Sequence, residues 1–218
     1  KHLAKLSVLP NERGGVIDDC MVTKRESDIY LVINAGCVDK DLKHIDEQVN
    51  IFNQQFPSEQ PVHINYMKTR GLLALQGPYA NKVMKDLFPT IDFDQVGFMN
   101  AQNLTLNYDN TTIPLWVTRC GFTGEDGFEI GCENEHASQL WDAILSYNNK
   151  HTDENAPKDI VLPIGLGVRD SLRLEAGLCL YGHELSQDIS PIEAGLSWVI
   201  SPRRKLEGGF IGSDAILE

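Results

Sequence analysis

Residues 14–36, GGVIDDCMVTKRESDIYLVINAG, decide the fold of this chain. The stretch begins with Gly14-Gly15, a pair that suits a tight turn because glycine adopts positive φ at little cost. An apolar run broken by two adjacent acids follows, and a polar turn at 24–28 leads into a second apolar run, IYLVIN. Two β-rich runs joined by a short polar turn predict an antiparallel hairpin.

The two acids of the first predicted strand cannot both serve one site. Side chains alternate between the two faces of a strand, so Asp18 and Asp19 point in opposite directions. By the same rule Tyr30, Val32 and Asn34 share one face of the second strand. One exposed acid and one turn-capping acid would explain the pattern without any function. A carboxylate inside an apolar strand is nevertheless costly to bury, and the residue pattern leaves open which acid looks into a site.

Charge and composition exclude several classes of function. The 218 residues have a net charge of −12, which argues against general nucleic-acid binding because such binding depends on Lys and Arg. The apolar runs are much shorter than the ~18 residues of a membrane span, so we expect no membrane segment. The N-terminus lacks the pattern of a signal peptide. Arg203-Arg204-Lys205 is the dense basic cluster, and a solvated loop is its simplest interpretation.

The cysteines and histidines predict neither disulfides nor a metal site. The five cysteines are widely spaced and odd in number, and they form no C-x-x-C pair. The six histidines show no H-E-x-x-H or similar ligand spacing. We therefore expect reduced, mostly buried thiols, a reducing compartment and no bound metal.

The remaining periodicity predicts an α+β fold in which helices pack on mostly antiparallel sheets. Apolar residues at helical spacing predict a core-packing helix over 38–56, and Asn134 is a plausible N-cap of a later helix. The apolar face of the first helix comprises Val38, Leu42, Ile45, Val49, Phe52 and Phe56. Strands are predicted at 61–67, 71–76, 102–108, 112–119 and from Phe128, and helices at 77–88, from Asn134 to about 148, and at 165–177.

Several longer motifs resemble the aminomethyltransferase, or T-protein, family of the glycine cleavage system. The run GLGVRDSLRLEAGLCLYG at 165–182 is the most specific of them, whereas GGVIDD alone would not suffice. The other matching stretches are YLVINAG, LLALQGP, TRCGFTGEDGFEI and SPIEAGLSWVI, so the resemblance covers nearly the whole chain. It implies that an N-terminal segment and a C-terminal β-barrel domain of the family lie outside this sequence.

The resemblance implies a cloverleaf arrangement of folate-binding domains and a one-carbon transfer. It divides the chain into a ferredoxin-like α+β subdomain at 62–171 and a second α+β subdomain formed by 1–61 and 172–218. Family members take the one-carbon unit from the aminomethyl-dihydrolipoyl arm of their partner, H-protein. They release ammonia and pass the unit to tetrahydrofolate, giving 5,10-methylenetetrahydrofolate. The mitochondrial matrix is the implied location, or the cytoplasm for a bacterial member.

The family pattern also assigns roles to particular positions. It makes Asp19 the catalytic carboxylate and leaves Asp18 a structural acid. A fixed carboxylate stabilises positive charge that develops on the transferred carbon and the folate nitrogen. Folate contacts are implied at Tyr30, Val32, Asn34, Phe122, Glu129, Arg169 and Trp198.

Two of these assignments have simple alternatives. Phe122 departs from the family, which usually has tyrosine there, so one hydroxyl hydrogen bond is lost while ring packing remains. For Arg169, an ion pair with Asp170, Glu175 or Glu129 is the alternative to a folate contact.

Two other functions remain open on the sequence alone. One is the folate-binding module of a dimethylglycine- or sarcosine-oxidising enzyme, which is normally fused to a flavin domain. The other is a non-catalytic folate-binding relative, which should lack the acid at 19 or the context of Arg169. The Arg203–Lys205 cluster is the expected docking face for an acidic partner.

Overall fold

The computed structural model describes residues 2–150 and 157–218. They form two compact units. The hairpin unit contains Lys5–Met67 and Cys179–Glu218, and the sheet unit contains Lys1–Ala4 and Lys68–Leu178. Both units combine antiparallel strands with helices, which confirms the predicted α+β class.

The hairpin unit contains the predicted antiparallel hairpin. Strand β1 (His2–Pro10) runs into this unit, and β2 (Val16–Lys24) pairs with β3 (Ile29–Ile33). The turn between β2 and β3 is closed by Arg25, whose backbone N–H donates to the Asp28 carbonyl at 2.9 Å. The Arg25 guanidinium also donates to the Asp28 carboxylate at 2.8 Å. The polar turn residues thus satisfy one another, and the two strands stay in register.

A glycine turn anchors the start of β2. Gly14 has φ 87°, a conformation that favours glycine. Gly15 needs to be glycine for a different reason, since a Cβ there would lie 1.8 Å from the Gln187 carbonyl oxygen. This close approach lets the backbone N–H of Val16 reach the carbonyl oxygens of Ser186 at 2.9 Å and Ile189 at 3.0 Å.

Helix α1 (Val38–Gln55) confirms the predicted helix, but its predicted role as core packing is wrong at its C-terminal end. Phe52 is 43% exposed and Phe56, just beyond the helix, is 49% exposed. Their ring centroids lie 4.9 Å apart, so the two rings cover each other rather than the core. The buried residue of this helix is Asp41.

The strand predicted at 61–67 is also wrong. Residues 61–66 are exposed and form no strand. The Asn53 side chain accepts from the Val62 N–H at 2.9 Å and donates to the Val62 carbonyl at 3.0 Å. A side-chain amide therefore takes both hydrogen bonds that a neighbouring strand would have made.

The sheet unit has four antiparallel strands in the spatial order β5-β6-β7-β4. They are β4 (Arg70–Gln76), β5 (Asn100–Tyr108), β6 (Thr111–Thr118) and β7 (Gly127–Glu133). The start of β1 pairs with β5 through His2 and Leu3. Helices α2 (Ala80–Leu87) and α3 (Ala137–Leu145) bury apolar faces in the core of this unit, around Met84, Phe93 and Phe128.

Two helix boundaries in the sheet unit follow from local chemistry. Asn134 was predicted to cap α3, but it begins a 3₁₀ turn, and its side-chain amide donates to the Lys68 carbonyl at 3.4 Å. Helix α4 (Leu166–Glu175) starts after Gly165 and is followed by Gly177 with φ 67°, as the glycine pattern predicts.

The C-terminal part of the hairpin unit contains two short helices, α5 (Pro202–Glu207) and α6 (Ser213–Leu217).

A helix that spans a membrane must be both long and predominantly apolar. Across 2–150 and 157–218, no helix meets both requirements.

We expect Gly15→Ala to destabilise the protein by about 1–3 kcal/mol, because the new methyl group must displace the backbone at Gln187. Gly36→Ala is the matched control, since a Cβ at Gly36 meets nothing within 4 Å. Urea denaturation of both variants measures the difference. Equal unfolding midpoints for the two variants would contradict the close approach at Gly15.

Candidate functional site

The register of the hairpin decides which acid shares a face with the predicted ligand contacts. Met21 pairs with Val32 and Thr23 with Tyr30, so residues 21, 23, 30 and 32 lie on one face. Asp19 lies two residues before Met21 and therefore belongs to the same face. Asp18 lies on the opposite face and is 0% exposed, whereas Asp19 is partly exposed.

Asn34 connects the two acids. Its side-chain amide nitrogen donates to Asp18 Oδ1 at 2.9 Å and to Asp19 Oδ1 at 3.1 Å. Its backbone N–H donates to Asp18 Oδ2 at 3.0 Å. The NH₂ group of Asn34 thus serves the two acids, and its carbonyl oxygen is the part that can accept from a ligand.

Lys40 and two thiols surround this acid pair. The Lys40 ammonium donates to the Ile17 carbonyl and lies 3.3 Å from the centroid of the Tyr181 ring. Burial lowers the pKa of Lys40, but hydrogen bonds to Tyr181 and Cys37 outweigh this effect and raise the pKa above its usual value. Burial and the neighbouring carboxylates raise the pKa of the Cys20 thiol to about 12, so Cys20 is a protonated, unreactive thiol at neutral pH.

Asp41 belongs to the same cluster, although no sequence motif singled it out. It is 0% exposed, and within the described part of the chain neither of its oxygens has a hydrogen-bond donor. Burial, and then the contact with Asp18, raises the pKa of Asp41 to about 8. Helical spacing gives the signal that could have found it, because position 41 lies three residues after Val38 and four before Ile45 on the inward face.

In the sheet unit, Glu129 lies on β7 opposite Ala74 of β4 and Thr118 of β6. Burial raises the pKa of Glu129, while the Cys120 thiol and the positive charge of Arg169 act in the opposite direction. Burial, and then the charge of Glu129, raises the pKa of the Cys120 thiol. Glu129 is therefore a poorly solvated acid with one nearby cation, an arrangement suited to accepting N–H donors from a ligand.

Arg169 and Phe122 form one unit. The Arg169 guanidinium carbon lies 4.1 Å from the centroid of the Phe122 ring, within the range of a cation–π contact. Arg169 Nε is buried and has no hydrogen-bond partner among residues 2–150 and 157–218. The phenyl ring at position 122 therefore stacks against the Arg169 guanidinium.

Gln76 holds the loop that carries Phe122. Its amide nitrogen donates to the Cys120 carbonyl, and its amide oxygen accepts from the Phe122 N–H at 3.1 Å. A Cβ at Gly121 or Gly127 would lie only 2.2–2.3 Å from the Gln76 amide. Gly121 and Gly127 therefore make room for this amide, which the glycine pattern alone did not predict.

Arg119 closes the base of the same loop and was also missed from the sequence. It makes a two-pronged ion pair with Asp126, at 3.0 and 2.6 Å. Its remaining terminal nitrogen donates to the carbonyl oxygens of Phe93 and Val96, at 2.8 and 2.7 Å. A bidentate pair of this kind gives both energy and a fixed geometry.

The structure brings the predicted site residues together in two groups. Asp19, Tyr30, Val32 and Asn34 share the hairpin face, and Phe122, Glu129 and Arg169 lie together in the sheet unit. Trp198 belongs to the hairpin unit, on a 3₁₀ turn (Ser197–Val199), with 61% of its surface exposed.

The basic cluster at 203–205 is not simply a solvated loop. It lies on α5, where Arg203 pairs with Glu207 at 3.1 Å and Arg204 donates to the Gly208 and Gly209 carbonyls. The described residues contain no group of three or more His, Cys, Asp or Glu side chains arranged to hold a metal.

Comparison with known proteins gives a consistent result. The model of the family described as the GCVT N-terminal domain matches residues 3–204. The mitochondrial aminomethyltransferase of Dictyostelium discoideum is 44% identical over 213 residues, 98% of this chain and 50% of the relative. That of Pisum sativum is 47% identical over 214 residues, 98% of this chain and 48% of the relative. The chain thus spans about half the length of the curated relatives it matches.

A solved structure supports the same relationship. The crystal structure of the glycine cleavage system aminomethyltransferase T from Bartonella henselae has a TM-score of 0.73 and 33% sequence identity. The match covers 99% of this chain and 52% of the solved chain. These matches confirm the resemblance predicted from the motifs.

We expect Gln76→Leu to destabilise the sheet unit, because it leaves the Cys120 carbonyl and the Phe122 N–H without their partner, at about 1–3 kcal/mol for each. Gln102→Leu is the matched control. The Gln102 side-chain nitrogen is buried without a partner in the described ranges, so its removal should cost little. Thermal or urea unfolding compares the two variants, and an equal loss of stability would contradict the role of Gln76.

Because the pKa of Asp41 is raised, the folded state keeps a proton that the unfolded state releases. The stabilisation is complete below the ordinary carboxyl pKa and is lost as the pH rises from about 4 to about 8. We therefore expect the unfolding free energy of the wild type, relative to Asp41→Asn, to fall over this range and then level off. Urea unfolding at several pH values tests this, and a difference independent of pH would contradict it.

Proposed function

This chain belongs to the GCVT N-terminal domain family, and we propose that it acts in a tetrahydrofolate-dependent aminomethyltransferase of the glycine cleavage system. The observation that carries the proposal is the Asp19–Asn34 pair on the hairpin of a chain that matches this family from residue 3 to residue 204. Relatives named aminomethyltransferase, 44% and 47% identical over nearly the whole chain, support the same activity. No observation favours the folate module of an oxidase or a non-catalytic relative.

The proposed reaction moves one carbon between heteroatoms without oxidation or reduction. The carbon begins between the lipoyl sulfur and an amino nitrogen, and both of these bonds break. It ends between two nitrogens of tetrahydrofolate, N5 and N10, and both of those bonds form. The two protons lost by the folate nitrogens balance the released ammonia and the free thiol.

Asp19 would act on the charge that appears along this path. As the lipoyl sulfur leaves, the carbon becomes part of a cationic iminium with the amino nitrogen. The folate nitrogen that attacks this iminium then carries positive charge until it loses its proton. A carboxylate held in place before the reaction stabilises such charge without having to reorganise. The Asn34 amide holds the Asp19 carboxylate, and the same carboxylate can accept a proton from the folate nitrogen.

The other predicted residues would bind the folate. Glu129 can accept from the amino and ring N–H groups of a pterin, and the Asn34 carbonyl can accept from a further N–H. Arg169, stacked on Phe122, offers a guanidinium for a folate carboxylate or carbonyl. Tyr30, Val32 and Trp198 would supply ring and apolar contacts.

The carbon donor and the location follow from the family. We propose that lipoylated H-protein presents the aminomethyl group, because the reaction needs a carrier with a thiol-bound carbon. The relatives from Dictyostelium discoideum and Pisum sativum are named mitochondrial, which supports a location in the mitochondrial matrix.

We expect Asp19→Asn in the full-length protein to lower methylenetetrahydrofolate formation by about 10²- to 10⁴-fold, since the variant removes the stabilising charge. Turnover is measured with aminomethylated H-protein and tetrahydrofolate. Folate binding should persist, and a thermal-shift titration with tetrahydrofolate measures it separately. Asp86→Asn on the exposed side of α2 controls for the loss of one negative charge.

Two results would count against the proposal. Normal turnover by Asp19→Asn would show that Asp19 is not the catalytic carboxylate. A wild-type protein that shows a thermal shift with tetrahydrofolate but no turnover would instead be a folate-binding relative without this activity.

A further inference from the structure

We propose that Asp41 is a positioning residue, which holds one proton against Asp18 and thereby fixes Asn34 and the carboxylate of Asp19. This inference rests on the proposed function, because it gives Asp41 a part in placing the carboxylate that the reaction uses. Asp41 itself would touch neither substrate.

Two fully buried carboxyl groups influence each other. Asp18 on β2 and Asp41 on α1 are each 0% exposed, both Asp41 oxygens are buried without a hydrogen-bond partner among the described residues, and Asp18 contributes to the raised pKa of Asp41. A carboxylate has no proton to donate, so the two groups can form a hydrogen bond only when one of them is protonated. Two anions buried together would repel each other without water to screen them, and one shared proton removes that conflict.

The hydrogen-bond donors around the pair place the proton on Asp41. Asp18 accepts from the backbone N–H of Asn34 at 3.0 Å and from its side-chain amide at 2.9 Å, so this carboxyl group already has two hydrogen-bond donors. Asp41 receives no comparable donor within the described part of the chain. The raised pKa of Asp41, about 8, agrees with a carboxyl that remains protonated at neutral pH.

Among the described residues, three charged groups affect the pKa of Asp41 in addition to burial. Asp18 and Asp19, both on β2, raise the pKa of Asp41, and Lys40 on its own helix lowers it. The Lys40 ammonium is directed to the Ile17 carbonyl and the face of the Tyr181 ring. The cation therefore does not neutralise the Asp18–Asp41 pair through a direct ion pair, which leaves the proton to do so.

The Asn34 amide transmits the position of Asp18 to Asp19. The Asn34 side-chain nitrogen donates to Asp18 Oδ1 at 2.9 Å, and it also donates to the Asp19 carboxylate at 3.1 Å and to the Asp19 backbone carbonyl at 3.3 Å. If Asp41 loses its proton, repulsion moves the Asp18 carboxylate and with it the Asn34 amide. Asp19 then loses the hydrogen bond from Asn34, and a misplacement of about 1 Å can reduce catalysis by about 10²-fold.

The test compares Asp41→Asn and Asp41→Ala in the full-length protein, with Asp39→Asn on the exposed side of the same helix as the control. Asparagine keeps the shape and always carries a donor for Asp18. We expect it to retain kcat at neutral pH and to lose the decline in kcat that the wild type shows above about pH 8. Alanine removes the donor, so we expect kcat to fall by about 10²-fold while the KM for tetrahydrofolate stays nearly unchanged.

A second measurement does not depend on activity. In a ¹³C-NMR titration of protein labelled at aspartate carboxyls, one carboxyl should titrate far above the usual range, and its signal should be absent from Asp41→Asn. Because the titration needs only the wild type and Asp41→Asn, it can be carried out even if Asp41→Ala does not fold.

Each contrary result has a definite meaning. An ionised Asp41 at neutral pH, an inactive Asp41→Asn, an alkaline decline that Asp41→Asn retains, or a folded Asp41→Ala with wild-type kcat would overturn the inference. Normal turnover by Asp19→Asn would instead overturn the catalytic assignment of Asp19, while the NMR titration would still report the shared proton.

Discussion

A buried carboxylate needs hydrogen-bond donors, and the hairpin unit is arranged so that Asn34 supplies them to Asp18. This requirement determines the backbone conformation around residue 34. Strand β3 ends one residue earlier, and the Asn34 carbonyl accepts from the Cys37 N–H at 2.9 Å to start the turn that leads into α1. Because the same amide reaches Asp19, the structural acid and the candidate catalytic acid share one support.

The sheet unit solves a similar problem with a neutral side chain. The loop before β7 runs back past the end of β4, where the Gln76 amide replaces a backbone partner for Cys120 and Phe122. Glycine at 121 and 127 leaves room for that amide, and Arg119 ties the loop base to Asp126. Phe122 is then presented to Arg169 by a loop whose backbone is hydrogen-bonded, which limits the entropy that ligand binding would have to overcome.

Local patterns predicted the hairpin, α1 and the α+β class because alternation and helical spacing reflect burial directly. They failed where a side chain satisfied the backbone, as Asn53 does for Val62, since such pairings depend on tertiary contact. Period-two alternation predicted the shared face of Tyr30, Val32 and Asn34. The proposal of Asp19 as the catalytic acid came from the family motif, and the strand register shows only that Asp19 lies on that face. The role of Asp41 could not be predicted from the sequence, because the function of an acid on the inward face of a helix depends on the tertiary neighbour that it meets.

The turn at Gly14-Gly15 has a consequence for how the protein is made. The Asn11 side-chain amide donates to the Gln187 carbonyl, 176 positions along the chain, and Val16 donates to Ser186 and Ile189. Contacts between such distant residues form late, because a long loop must close before they contribute. On the ribosome, the strand that carries Asp19 is therefore synthesised early but acquires its final packing only after residue 189 has left the exit tunnel. Until then, residues 68–178, the larger part of the sheet unit, can fold as the intervening segment.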